Sequence, residues 1–333
     1  MTVKSSQRIL VSSVLLLAGS LGFAQAQQPA PANAFPAGST TAMVSNSPDQ
    51  PLQVFRSRTD EVNVIFTVTD KHNHFIKDLR EAQFKILDNN LPPRQIMNFE
   101  AETNMPLRVG LLIDASDSIT DRFTFEQRAA AEFLRQIIRP QSDKAFVMSF
   151  DDHNDVTQEF TSDLDKLTRG LHRIHPGGGT AIWDAIYYAS RDKLMQEHPD
   201  SPDQTFRKAI IVVSDGADNQ SRVSRAQAVD MAQRAGVIIY TVSTNLNNIL
   251  DSGDHNLKAL ADSTGGRAFF PAKLHDLTDA FRDIREELRS QYSVSYKPEQ
   301  FDVAGGEYRP IQIMAENKKY HVRAKRGYFV PRQ

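Results

Sequence analysis

Residues 107–118 read LRVGLLIDASDS, and this stretch decides the fold. The apolar run Leu107–Ile113 has the pattern of a strand that is buried on both faces, as in the centre of a parallel sheet. It ends in a carboxylate, Asp114, and hydroxyls follow two and four positions later, at Ser116 and Ser118. In the loop after such a strand, alternate residues can turn their oxygens toward one point. One carboxylate and two neutral hydroxyls are hard ligands of little charge, which suits a divalent cation.

Downstream of this strand the pattern alternates between helices and strands. Residues 145–160 are an exception, because two extended runs joined by a charged turn indicate a hairpin that adds one antiparallel edge strand. The alternation predicts an α/β fold with a doubly wound, mostly parallel, Rossmann-like sheet and helices on both faces. In such sheets the carboxyl ends of the central strands border a crevice, where chemistry is expected. Helices are predicted at 123–138, 181–194, 224–235 and 274–288, and further strands at 209–214, 237–243 and 267–270.

Two more segments carry oxygen-bearing side chains to the same edge. A glycine-rich loop, Gly177–Gly179, opens a predicted helix and presents the hydroxyl of Thr180. A second buried strand, Ile210–Ser214, ends in another carboxylate, Asp215. Like residues 114–118, both segments lie where a predicted strand or helix meets a loop at this edge of the sheet.

Together, D-x-S-x-S after the first strand, a threonine before a helix and a later strand-ending aspartate resemble the metal-ion-dependent adhesion site of von Willebrand factor A domains. The resemblance implies that Mg²⁺ or Mn²⁺, or alternatively Ca²⁺, is bound directly by Ser116, Ser118 and in some cases Thr180. Asp114 and Asp215 would act largely through water or hydrogen bonds. One coordination position is typically left for an Asp or Glu of a binding partner.

Two other functions compete with metal-dependent binding, namely that of a structural domain and that of an enzyme. Asp117 departs from the family pattern, in which this position is usually glycine. A degenerate domain would keep the same Asp and Ser residues only as turn formers and caps, giving a structural or assembly protein that needs no ion. An enzyme, such as a hydrolase, would need a general base beyond the metal ligands. The sequence contains no G-x-S-x-G elbow, no G-x-x-x-x-G-K-[ST] phosphate loop and no G-x-G-x-x-G fingerprint. We therefore predict a binding module and no enzymatic activity.

Extended segments lie on both sides of the predicted α/β block. They form either one small β-sandwich, with the α/β domain inserted, or two separate β pieces packed on that domain. The stretches FTVTDKHNHFIKDLREAQFKILDN and RSQYSVSYKP resemble the flanks of bacterial exported VWFA-related domain proteins, over residues 54–331. This resemblance implies an architecture and no defined activity. The strands are predicted at 62–68, 84–87 and 96–99 before the block, and at 291–296, 311–314 and 320–324 after it.

The amino terminus has the pattern of a signal peptide. Lys4 and Arg8 precede the apolar run Ile9–Ala24, and small residues at 24 and 26 indicate cleavage near Gln27. The predicted organisation is a signal peptide at 1–26, a flexible linker at 27–53, an amino-terminal β segment at 54–104, a von Willebrand factor A domain at 105–290, and a carboxyl-terminal β segment at 291–333 that packs with 54–104.

The amino-acid composition limits which classes of binding partner and which cellular compartment fit the chain. The chain has no cysteine, which excludes disulfides, thiol chemistry and a lipid on an amino-terminal cysteine. The net charge of −2 gives no general attraction to nucleic acid. Beyond the signal peptide, no segment is apolar enough to span a bilayer. We expect an exported protein, periplasmic or extracellular, whose partner is a protein or other acidic ligand that offers a carboxylate.

Overall fold

A computed structural model gives the fold of most of the chain. Residues 1–60, which include the predicted signal peptide and the whole predicted linker, and Ser118 lie outside the part that it describes. The described residues are 61–102, 105–117, 123–198, 206–245, 249–273, 275–300 and 306–330.

Strands and helices follow one another in the predicted alternation. The strands are β1 (Val62–Thr69), β2 (Phe84–Asp88), β3 (Gln95–Glu102), β4 (Leu107–Asp114), β5 (Lys144–Phe150), β6 (Asn154–Thr161), β7 (Arg207–Ser214), β8 (Val237–Ser243), β9 (Ala268–Phe269), β10 (Gln291–Lys297), β11 (Tyr308–Ala315), β12 (His321–Ala324) and β13 (Gly327–Phe329). The helices are α1 (Phe123–Ile137), α2 (Leu164–His172), α3 (Ile182–Tyr188), α4 (Arg225–Arg234), α5 (Ser252–Thr264) and α6 (Asp276–Leu288).

A six-stranded sheet in the order β6-β5-β4-β7-β8-β9 forms the centre of the α/β part. Strand β4 pairs in parallel with β5 and β7, β7 with β8, and β8 with β9. Strand β6 is antiparallel to β5 at the edge, as the hairpin pattern predicted. Every residue of β4 is buried, because helices cover the sheet on both faces. The α/β prediction is confirmed.

Each face of this sheet has its own hydrophobic core. One core joins the sheet to α1, α2 and α6, where the rings of Phe133 and Phe281 stack with centroids 4.8 Å apart. The other core joins the sheet to α3, α4 and α5 through residues such as Ile186, Ala232 and Leu257. The predicted helix at 181–194 is α3 followed by a π-helical turn at Ala189–Leu194.

The sequence patterns did not predict helix α5, which contains several residues of low helix propensity. Its ends hold it in place. Asp251 and Asp254 form a reciprocal capping box at the amino end, and Gly265 ends the helix in the left-handed conformation at φ 86°. Leu257 and Leu260 are fully buried against the sheet. Capping and tertiary packing therefore outweigh the local propensity.

Two antiparallel sheets combine strands from both flanks of the α/β part. One has the order β12-β1-β10-β3 and the other β13-β11-β2. They share a single core, in which Phe66, Phe84, Phe99 and Tyr292 form an aromatic cluster with ring centroids 5.1–6.2 Å apart. The α/β part thus lies between β3 and β10 along the chain. The exact domain boundaries proposed from the sequence stay predictions.

A buried ion pair within the second of these sheets is joined to the first sheet by a hydrogen bond from Tyr296. The carboxylate oxygen Oδ1 of Asp88 accepts hydrogen bonds from Arg309, with Nε and Nη2 both 2.7 Å away. Its other oxygen accepts from the hydroxyls of Tyr296 and Tyr328, each at 3.0 Å. Asp88 and Arg309 are almost completely buried. One aspartate therefore links β2, β10, β11 and β13.

Among the described residues, no helix is long and apolar enough to cross a membrane.

Candidate functional site

Asp114 ends β4 and is completely buried at the carboxyl edge of the parallel sheet. Its Oδ1 accepts a hydrogen bond from the backbone N–H of Ser116 at 2.9 Å, and its Oδ2 accepts from the hydroxyl of Ser214 at 2.5 Å. Burial, together with the smaller effect of the nearby charge of Asp215, raises the pKa of Asp114 to about 6. The hydrogen bonds from Ser214 and Ser116 oppose these effects without cancelling them.

The loop after Asp114 is joined to the glycine-rich loop through the backbone. The carbonyl of Ala115 accepts from the N–H of Gly177 at 2.7 Å, and the N–H of Asp117 donates to the carbonyl of Gly178 at 3.3 Å. The side chain of Ser116 is buried, whereas that of Asp117 is exposed. Gly178 has φ +90°, a conformation that favours glycine.

Thr180 is held through its backbone against the loop that follows β7. Its N–H donates to Oδ1 of Asn219 at 2.9 Å, and its carbonyl accepts from the N–H groups of Asn219 and Gln220 at 3.0 and 3.1 Å. The same loop caps α3: Oδ1 of Asp218 accepts from the N–H of Ile182 at 3.1 Å. The position of Thr180 therefore depends on residues 218–220.

Asp215 follows β7 and is partly exposed at the same edge. Its Oδ1 accepts from the N–H of Ala217 at 3.0 Å, and Gly216 turns the chain at φ +78°. The start of α5 packs closely behind this turn, because a Cβ at Gly253 would lie 2.2 Å from the carbonyl oxygen of Asp215. The turn that presents Asp215 is therefore backed by backbone and has little room to move.

Of the five predicted site residues, the structure describes four, and the strand ends and loop contacts bring these four to one edge. They are Asp114, Ser116, Thr180 and Asp215, while Ser118 lies outside the described residues.

Sequence reasoning missed the residues that position this site. Ser214 joins the two strand ends, since its hydroxyl donates to Asp114 and accepts from the N–H of Gly216 at 3.0 Å. The sequence did offer one signal for Ser214, because it is a polar residue at the last position of a buried strand. Asn219 and Asp218 gave no comparable signal, because their role depends on how two distant loops dock. Asp152, which accepts from the N–H of Gly179 at 2.8 Å, belongs to the hairpin tip of β5 and β6.

The donor chemistry of these four residues fits a hard divalent cation. All four offer oxygen, from two carboxylates and two hydroxyls, and no nitrogen or sulfur. Within the described ranges there is no group of three or more His, Cys, Asp or Glu side chains with metal-binding geometry, so the hydroxyls are essential to any such site. The two carboxylates repel each other in a partly buried setting, and a cation beside them would relieve that repulsion.

The sequence profile of the von Willebrand factor type A domain matches residues 109–283, more than half of the chain. The chain belongs to this family. The profile begins within β4 and ends within α6, so it covers the parallel sheet and the candidate site.

One curated protein is similar to this chain over part of its length. The mouse protein "Calcium-activated chloride channel regulator 3A-1" is 29% identical over 208 residues, which are 60% of this chain and 21% of that protein. The chain thus spans about a fifth of this curated relative.

Two solved structures are similar to this chain at low sequence identity. A von Willebrand factor type A protein from Catenulispora acidiphila is 14% identical, with a TM-score of 0.47, covering 75% of this chain and 73% of that one. Proximal thread matrix protein 1 from the mussel byssus, solved with a zinc-occupied MIDAS motif, is 16% identical, with a TM-score of 0.47, covering 60% and 49% of the two chains.

Ser214 is expected to stabilise the A domain by joining β4 to β7. We expect Ser214→Ala to lower the free energy of unfolding by about 1–2 kcal/mol, because it removes the donor to Asp114 and the acceptor for Gly216. Chemical denaturation measures this loss. Ser243→Ala is the matched control, since Ser243 pairs with Ser214 in the sheet and, among the described residues, its hydroxyl accepts a local hydrogen bond from the N–H of Asn245 and makes no bond to the site. An equal loss in both variants would contradict the role of Ser214.

Proposed function

We propose that this A domain is an exported, metal-dependent binding module. The family typically mediates protein–protein interactions and adhesion, and this supports a binding function rather than an enzymatic one. One observation carries the proposal: two carboxylates and two hydroxyls from three separate segments meet at the carboxyl edge of the sheet, where Asp114 is held in a buried network. Such a set of oxygens suits Mg²⁺ or Mn²⁺, with Ca²⁺ as the alternative.

Each residue has a defined part in the proposal. Ser116, Ser118 and Thr180 hold the ion directly through their hydroxyls, and Asp114 and Asp215 hold it through water or hydrogen bonds. When bound, the ion supplies a coordination position for a carboxylate of the partner. The partly exposed edge at Asp215 is where that carboxylate arrives. Asp117, exposed beside this edge, adds negative charge that selects against strongly acidic neighbours on the partner.

The compartment and the partner are part of the same proposal. The amino-terminal sequence pattern favours export to the periplasm or the outside of the cell. There the partner is a protein, or another acidic ligand, with an accessible Asp or Glu type carboxylate. The competing function is a structural A domain that assembles with its partner without an ion.

Thermal unfolding of residues 27–333 in EDTA, Mg²⁺, Mn²⁺ or Ca²⁺ tests the proposal. We expect a metal-dependent rise in the melting temperature, since an ion at ~100 times its Kd adds about 2.7 kcal/mol to the free energy of unfolding. Asp114→Ala should fold but lose this rise, because it removes the carboxylate at the centre of the network. Asp230→Ala on α4, away from the site, is the control and should keep it.

Two results would contradict the proposal. If no ion changes the melting temperature of the native sequence, the structural alternative is favoured. If partner binding is the same with and without Asp114→Ala, or is insensitive to EDTA, the ion is not what joins the two molecules.

A further inference from the structure

A second cleft lies at the opposite end of the parallel sheet from the candidate metal site. It encloses about 560 Å³ between the amino ends of β7 and β8 and the outer face of the four-stranded sheet. Small-molecule sites in proteins typically occupy ~300–1,000 Å³, so this space suits a ligand of monosaccharide size. We refer to it as the junction cleft.

The floor of the junction cleft is a polar surface built by three neighbouring strands. In β1, the residues Val62, Val64 and Phe66 are buried in the sandwich core, so the alternate positions face the cleft. Cross-strand pairing aligns the floor in two rows, which are Asn98–Ser295–Asn63 and Glu100–Ser293–Ile65. Short amides, hydroxyls and one carboxylate thus stand side by side, and together they can both donate and accept hydrogen bonds.

The cleft is lined by three cationic side chains, those of Arg207, Lys208 and Lys325, and by the amide of Gln233. The Lys208 ammonium lies 5.6 Å from the centroid of the Phe206 ring, and no carboxylate of the described residues forms an ion pair with it. Partial burial lowers the pKa of Lys208. Gln233 donates through Nε2 to the carbonyl of Ser263 at 2.8 Å, which fixes its amide.

These groups define the chemistry of a ligand. The charge of Glu197 lies near Lys208 but forms no ion pair with it among the described residues, so an anion in the cleft would further stabilise this half-buried ammonium. Rows of amide and hydroxyl side chains pair best with a ligand that carries several hydroxyls. The exposed carboxylates of Glu61 and Glu100 can accept from such hydroxyls at the open side of the cleft.

We propose that the junction cleft binds a small hydroxylated carboxylate of the sugar-acid class, with its carboxylate at Lys208 and its hydroxyls at the strand rows. This site is separate from the metal site and from the partner carboxylate bound there. It would give the protein a second ligand at the junction of the α/β part and the sandwich.

Binding of D-glucuronate, measured by calorimetry on residues 27–333, tests this proposal. All measurements are made in EDTA, so that the carboxylate does not bind through an ion at the other end of the sheet. We expect D-glucuronate to bind with a Kd on the order of 1 mM or below. D-glucose, which lacks the charge, and acetate, which lacks the hydroxyls, should each bind at least ~10-fold more weakly.

Two lysines at the same level of the sheet give a matched pair of variants. Lys208 and Lys144 lie on either side of Arg108 in the strand register, and Lys208 lines the cleft whereas Lys144 does not. Lys208→Met should weaken D-glucuronate binding at least ~10-fold, and Lys144→Met should leave it unchanged. Thermal unfolding of both variants checks that they are folded.

Three outcomes would overturn the proposal. One is an absence of D-glucuronate binding to the native sequence. Another is binding that Lys208→Met does not weaken in a folded protein. The third is acetate binding as tightly as D-glucuronate, which would show that the hydroxyl-matching rows take no part. None of these outcomes bears on the metal site, which is tested separately by the response to divalent cations.

Discussion

The substitution Asp114→Asn is expected to stabilise the metal-free protein and to abolish its response to divalent cations. Burial raises the pKa of Asp114 to about 6, so holding this carboxylate charged at neutral pH costs folding free energy. An asparagine has the same shape without the charge. We expect the free energy of unfolding in EDTA at pH 7 to rise by about 1–3 kcal/mol. Adding Mg²⁺ or Mn²⁺ should then stabilise only the native sequence.

The raised pKa of Asp114 also predicts how the free energy of unfolding changes with pH. Because the pKa of Asp114 is higher in the folded state than its ordinary value of 3.8, the folded protein takes up the proton more readily than the unfolded chain. The contribution of this group to stability is greatest below about pH 4 and is lost as the pH rises to about 6 and beyond. The gain from Asp114→Asn should therefore grow over this range. Denaturation in EDTA at several pH values measures it.

Asp215→Asn is the matched control, since Asp215 stands at the same edge but is partly exposed. It should give a smaller gain in stability. If Asp114→Asn destabilises the metal-free protein at neutral pH, the charge of Asp114 is better compensated than its surroundings indicate. The hydrogen bonds from Ser214 and Ser116 would then outweigh its burial.

Asp88→Ala is expected to be the most destabilising substitution in the sandwich. It would leave the guanidinium of Arg309, which is 2% exposed, without its carboxylate, and would remove the acceptor of Tyr296 and Tyr328. Removing one partner of a buried ion pair typically costs about 3–5 kcal/mol, because the remaining charge is buried and uncompensated. Chemical denaturation with a probe of the sandwich measures the loss.

Tyr328→Phe provides a graded comparison with this result. It removes one hydrogen bond to Asp88 and leaves the ion pair intact, so we expect a loss of about 1 kcal/mol. A loss for Asp88→Ala no larger than that for Tyr328→Phe would mean that water or another group compensates Arg309.

The central sheet was predictable because each of its central strands is recognisable from its own sequence. Strands buried on both faces must be apolar throughout, and β4, β7 and β8 stand out from the sequence for that reason. Parallel strands also place their carboxyl ends at one edge. It followed that Asp114 and Asp215, which each end or follow such a strand, would be neighbours.

Contacts between distant segments were not predictable in the same way. Strand periodicity did not show that β2 pairs with β11 or that Asp88 meets Arg309, because the partners are more than two hundred residues apart. The docking of Asn219 on Thr180 depends on two loops that form only when the sheet is complete. Helix α5 depends on its caps and on burial, and these override a sequence of low helix propensity.

The antiparallel pairing of β3 with β10 favours an order of folding in which the α/β part forms first. Gln291 lies opposite Glu102 in this pair, so the chain leaves the sandwich and returns to it at the same place. An unfolded loop from 103 to 290 would close at a large cost in entropy. A folded α/β part can instead hold residues 102 and 291 near each other before the sandwich strands pair. We therefore expect the α/β part to fold first and to bring the two ends of the sandwich together for the last step of pairing.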